Sequence, residues 1–164
     1  MKLGTKAYEY IERFGPIATA ISVLVVFYVF SSEFIGYIRG NNLKINLLYG
    51  EIFDWSSIQT GFLFGVYGFI AGKSDGFIGQ IRHTRPVKQF LAYTRNAIVI
   101  GFVLTFVSMP LILIDIGPSD ITKNWYYITC SWFSLFIWSF LSFARAAYIF
   151  GLIIRVDDNR RIRG

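Results

Sequence analysis

The sequence predicts an all-α polytopic membrane protein, a single domain over residues 1–164 with four transmembrane helices. Three observations point to it. The 164-residue chain is 54% hydrophobic and only 16% charged, with a mean hydropathy of +0.50, whereas a soluble domain is about one quarter charged. Its 17 Phe and 10 Tyr exceed what one small core can hide. Its apolar residues also fall into four runs, each near the ~20 residues that carry a helix across ~30 Å of hydrocarbon. Backbone groups in lipid must pair within the segment, so these runs are helices.

The first run, GPIATAISVLVVFYVFSSEFIGYI, gives a span over 15–38. It is longer than the apolar core of a secretory signal, and SSEF places Glu33 where a cleavage site needs small residues, so it reads as a retained helix. The second span covers 52–72 and contains QTGFLFGVYGFIAGK. NAIVIGFVLTFVSMPLILI supplies the third, 96–114, with Pro110 a passive kink near its outer end. The fourth starts at Trp125 and runs to Arg145.

Charge orients these spans. Lys2, Lys6 and Arg13 precede the first; Lys73, Arg82, Arg85, Lys88 and Arg95 lie between the second and third; Arg155, Arg160, Arg161 and Arg163 follow the fourth. The other two loops are poor in cations. Under the positive-inside rule both termini are cytoplasmic. The formal charge of +6 then reflects topology and attraction to anionic headgroups, and a direct nucleic-acid role is disfavoured.

Pairs of charged or interfacial residues mark the two faces of the slab. Arg13 and Glu33, Asp54 and Lys73, Arg95 and Asp115, and Trp125 and Arg145 are each separated by about twenty residues, one bilayer of helix. This ruler sets Arg145 level with Arg95 at the cytoplasmic boundary, where its side chain can snorkel to headgroups. Beyond that boundary the apolar pattern continues over 86–95 and 146–156. The third and fourth helices are therefore expected to project as helical overhangs, packing on each other, on neighbouring subunits or on a soluble partner. Thr84 is placed to cap the first overhang, with Pro86 in its opening turn. Arg82, Arg85, Lys88, Tyr148 and Phe150 are the candidate surface for a cytoplasmic protein partner.

Two stripes stand out at about 100° per residue. Gly61, Gly65, Gly68 and Gly72 fall within a ~60° sector of the second helix, with Asp54 on the same face. Helices associate in lipid by close backbone approach, so this is a helix-packing surface, within the chain or between copies, and a homo-oligomer is expected. On the fourth helix Ser131, Ser134, Ser142 and Arg145 share a ~80° sector. That face either bonds to neighbouring helices or lines a wet lumen, and serine hydroxyls can also bond back to their own helix.

Enzymatic chemistry has little support. Cys130 and His83 are the only residues of their kinds, so neither a disulfide framework nor a metal-ligand set arises. GKSDG, Gly72 to Gly76, lacks the spacing of a phosphate loop. No cofactor is expected.

The succession IQTGFLFGVYGFIAGK, RHTRPVKQFLAYTRNA and IVIGFVLTFVSMPLIL resembles small bacterial membrane proteins of phage exclusion and phage defence, namely RexB-like proteins and the KwaA-like membrane subunit of Kiwa defence. The resemblance is one of layout across the whole chain, and no residue role follows from it. It implies an antiviral-defence sensor or effector, acting through membrane permeability as an ion channel or through a recruited soluble partner. Bacteriocin immunity, or anchoring without conductance, is the alternative.

Overall fold

The computed structural model describes residues 3–72, 84–114, 117 and 121–161, with side chains over 14–72, 84, 87–114, 117 and 121–152. The described residues form five helices and no strand: α1 Leu3–Val29, α2 Ser31–Gly40, α3 Ile45–Gly72, α4 Arg85–Leu113 and α5 Lys123–Arg161. Helix α3 packs along α4, α4 along α5, and α1 along α5, which α2 also touches.

Two helices are long and apolar enough to cross a membrane, Val87–Leu113 and Lys123–Leu152, and a third span arises if the bent pair Phe14–Val29 and Ser31–Gly40 crosses as one. The bundle turns large apolar side chains outward, among them Val25, Phe62, Phe64, Phe106 and Leu113. Water would not tolerate so large an apolar surface, and lipid does. The chain is therefore a membrane protein. Helix α3 has 28 residues but is not among the helices apolar enough over a span's length, because Ser56, Ser57, Gln59, Thr60 and its glycines dilute the apolar run.

The stretch 15–38, expected as one rod, is two helices meeting at 75°. The break falls at Phe30 (φ −97°, ψ 28°), without proline. Ser31-Ser32-Glu33 is a helix-start signal, small hydroxyl residues followed by an acid in the first turn, and Glu33 and Arg39 complement the two ends of α2. Three contacts hold the corner. The Tyr126 hydroxyl donates to the Phe27 carbonyl at 3.0 Å. Phe27 and Phe34 meet edge to face across the bend, centroids 5.0 Å apart. Arg39 Nη2 donates to the Ile121 carbonyl at 2.7 Å.

Helix α2 then stops in a Schellman turn. Asn42 takes the left-handed conformation (φ 52°), and the Leu43 N–H returns to the Ile38 carbonyl at 3.1 Å. Removing the corner's hydroxyl tests this account. Tyr126→Phe is expected to cost about 1 kcal/mol and to speed amide exchange over residues 27–34. Unchanged exchange there would assign the bend to ring packing alone.

Helices α4 and α5 are continuous through 86–95 and 146–156. Thr84 caps α4 with extended backbone (φ −70°, ψ 150°), and proline follows in the first turn, although no side-chain bond closes the cap. Pro110 sits inside α4, which continues to Leu113.

The interior is layered. One apolar cluster gathers Tyr49, Ile52, Leu104, Leu111 and Trp132, a second Leu63, Ala97, Ile98 and Ala146, and a third Ile70, Val87 and Phe90. In the first, Trp132 Nε1 donates to Ser108 Oγ at 2.8 Å, while Tyr49 shares a 2.6 Å hydrogen bond with Thr129 Oγ1.

Candidate functional site

Between the first two apolar clusters lies a polar layer. On α3, Gln59 and Thr60 sit between Ile52 and Leu63; on α4, Gly101 sits between Leu104 and Ala97; on α5, Ser139 and Ser142 sit between Trp132 and Ala146. Gln59, Thr60, Ser139 and Ser142 are all buried. Among the described residues, both ends of the Gln59 amide and the hydroxyls of Thr60, Ser139 and Ser142 have no hydrogen-bond partner, and neither has that of Thr94 one step beyond. Unpaired buried polar groups are costly and rare. Their concentration at one depth of an apolar bundle makes this layer the chemically distinctive part of the molecule.

The layer depends on a close helix crossing. A Cβ on Gly101 would run into Thr60 Oγ1, with Thr60 Cβ and Cγ2 at 3.4 and 3.7 Å. The in-chain crossing of α3 and α4 is thus set by one glycine on α4.

Gly61, Gly65, Gly68 and Gly72 lie elsewhere. Each has open space around its Cβ position, with no atom of the other described residues within 4 Å, and all four are exposed. At about 100° per residue they stand opposite the buried row Ile52, Ser56, Gln59, Leu63 and Ile70. Asp54 is exposed on the glycine side, as expected. Helix α3 therefore has two distinct faces, one turned into the bundle and one bare.

The serine row of α5 divides between surface and interior. Ser131 is exposed and bonds back to the Tyr127 carbonyl at 2.8 Å. Ser134 is buried and bonds to the Cys130 carbonyl at 2.9 Å. Ser142 belongs to the polar layer. Arg145 is half-buried, its guanidinium carbon 3.8 Å from the centre of the Tyr93 ring, a cation–π contact. That neighbour is two residues from Arg95, so the two arginines lie within a turn of each other in depth.

At the far end Phe150 stacks on Phe90, centroids 5.7 Å apart, and joins the third cluster with Ile149. The segments of α4 and α5 expected as overhangs pack on each other there and on the end of α3. Lys88 and Tyr148 are exposed. Arg82, His83 and Lys73 lie outside the described residues, and of Arg85 only its position at the start of α4 is described. No group of three or more potential metal ligands occurs among the described residues.

Gly101, Gln59, Thr60, Thr94 and Ser139 are the site residues that the stripes did not single out. Gln59 carried a signal of its own, being the one amide side chain inside its apolar run. Gly101 carried none, because one glycine in an apolar helix has no pattern. No protein-family model, curated protein or solved structure matches the chain.

Proposed function

We propose that the chain is a non-enzymatic sensor or effector of a bacterial inner membrane, of the phage-defence kind, working as a homo-oligomer that alters membrane permeability. In this reading α3 is the fourth span. Its 28 residues measure about 42 Å, ample for the hydrocarbon core. Both termini and the overhangs of α4 and α5 lie in the cytoplasm, where exposed Lys88 and Tyr148 can meet a soluble partner.

One observation carries the permeability reading: the layer of unpaired polar groups from Gln59, Thr60, Ser139 and Ser142 inside the apolar bundle. Such groups are retained in membranes chiefly where water, an ion or a gating rearrangement meets them. The apolar clusters on either side of the layer favour a second reading, in which the resting chain does not conduct and serves as an anchoring subunit.

Ion efflux from vesicles holding the purified chain tests the first reading. Wild-type protein is expected to leak, and Gln59→Leu to slow the leak about tenfold by removing a polar partner from the path. Tight vesicles with the wild-type chain would reject permeability and leave the anchor.

A further inference from the structure

Helices α1, α4 and α5 line a half-open cavity of about 390 Å³, within the range of small-molecule sites. Its lining changes character along its length. At the end marked by Arg145 the walls carry Tyr93, Asn96, Ser142 and Arg145; farther along α4 and α5 they become Val99, Ile100 and Trp138. From Tyr93 to Ile100, and from Arg145 back to Trp138, the two walls each extend about 10 Å. The polar end also holds an unused donor: Ser142 is 1% exposed and its hydroxyl has no hydrogen-bond partner among the described residues. Tyr93 holds the guanidinium of Arg145 against its ring face, which fixes the cation in the wall.

We propose that this cavity binds an anionic amphiphile, with its oxyanion on Arg145, Asn96 and Ser142 and its acyl chain along Val99, Ile100 and Trp138. The polarity gradient is that of a leaflet lipid whose headgroup sits at the arginine-marked boundary. Arginine with hydroxyl and amide donors favours an oxyanion over a neutral or cationic group. The chemistry is shared by an anionic phospholipid and a free fatty acid. The site needs only that α1, α4 and α5 lie in a bilayer, and does not require conductance.

Native mass spectrometry of the full chain in detergent tests the proposal, with phosphatidylglycerol and phosphatidylcholine of matched chains added in turn. Phosphatidylglycerol is expected to be retained at least about tenfold better, Arg145→Gln to remove that preference, and Ser142→Ala to weaken it several-fold. Arg95→Gln, at an exposed position outside the cavity, should leave it intact. Asn96→Leu, at an exposed position in the wall, provides a second lesion should Arg145→Gln fail to fold.

Oleate binding that depends on Arg145, without phosphatidylglycerol binding, would support the site and assign it to a free acid. Equal retention of the two lipids, or a preference unmoved by the folded cavity variants, would overturn the proposal. Displacement by inorganic phosphate as readily as by oleate would overturn the acyl half of it. None of these readings uses ion flux, so the site and the permeability reading fail separately.

Discussion

Gly101→Leu is expected to abolish folding of the bundle, and Gly101→Ala to destabilise it by about 1–3 kcal/mol, the range for overpacking a tight interior. The Thr60 hydroxyl occupies the space that any side chain at position 101 would need. Thr60 is β-branched and stiff in a helix, so the clash is relieved mainly by moving α3 away from α4. That movement would disturb Leu63, Ala97 and Ile98, which pack one turn along. The relevant measurement is thermal unfolding in detergent by circular dichroism. The double variant Gly101→Ala with Thr60→Ala should recover most of the loss, because the remaining Thr60 Cβ distance of 3.4 Å is close to ordinary contact. Thr60→Ala alone should cost little, since it deletes a buried hydroxyl that has no partner among the described residues. A stable Gly101→Ala protein, or a double variant no better than the single, would show that the crossing is not set there.

The helical class and the membrane setting were legible in composition and run length, since both follow from the solvent rather than from any particular contact. The continuity of α4 and α5 through 86–95 and 146–156 was legible too, because the apolar pattern of Phe90 and Phe150 does not stop at the arginines. Run length misled over residues 15–38. A stretch of the right hydropathy can hide a corner, and only Ser31-Ser32-Glu33 marks one. The Tyr126 and Arg39 contacts that hold it come from 99 and 82 residues away, so no local pattern contains them. The polar layer was half visible. The serine row placed Ser142 on a face distinct from lipid, but Ser139 lies off that row, and its company with Gln59 and Thr60 depends on the order in which α3, α4 and α5 pack. Helical phase groups residues on one helix; it does not say which neighbour each face meets. The glycine stripe illustrates this limit best. Its periodicity identified a face, and the bundle turns the opposite face inward.

Gly65→Leu combined with Gly68→Leu is expected to leave the protomer folded and to weaken self-association roughly 10- to 100-fold, the effect of overpacking a tight contact by a few kcal/mol. Helix α3 turns one face into the bundle and leaves the glycine face bare. Among the described residues nothing lies within 4 Å of a Cβ at either position, so the leucines meet no obstacle there, and they add apolar surface where the helix would otherwise face lipid. If that face stays in lipid, the variant should equal or exceed the wild type in stability, because glycine costs a helix about 1 kcal/mol relative to better formers. If two copies meet there, the leucines hold the backbones apart and remove the close approach that drives pairing in bilayers. Energy transfer between donor- and acceptor-labelled copies, followed across protein-to-lipid ratios, separates the two cases, with the circular dichroism melt as the check on folding. Undiminished transfer in the leucine variant would rule out assembly through this face. The contrast with Gly101 sharpens the test: bulk at 101 should lower the melting temperature, and bulk at 65 and 68 should lower energy transfer alone.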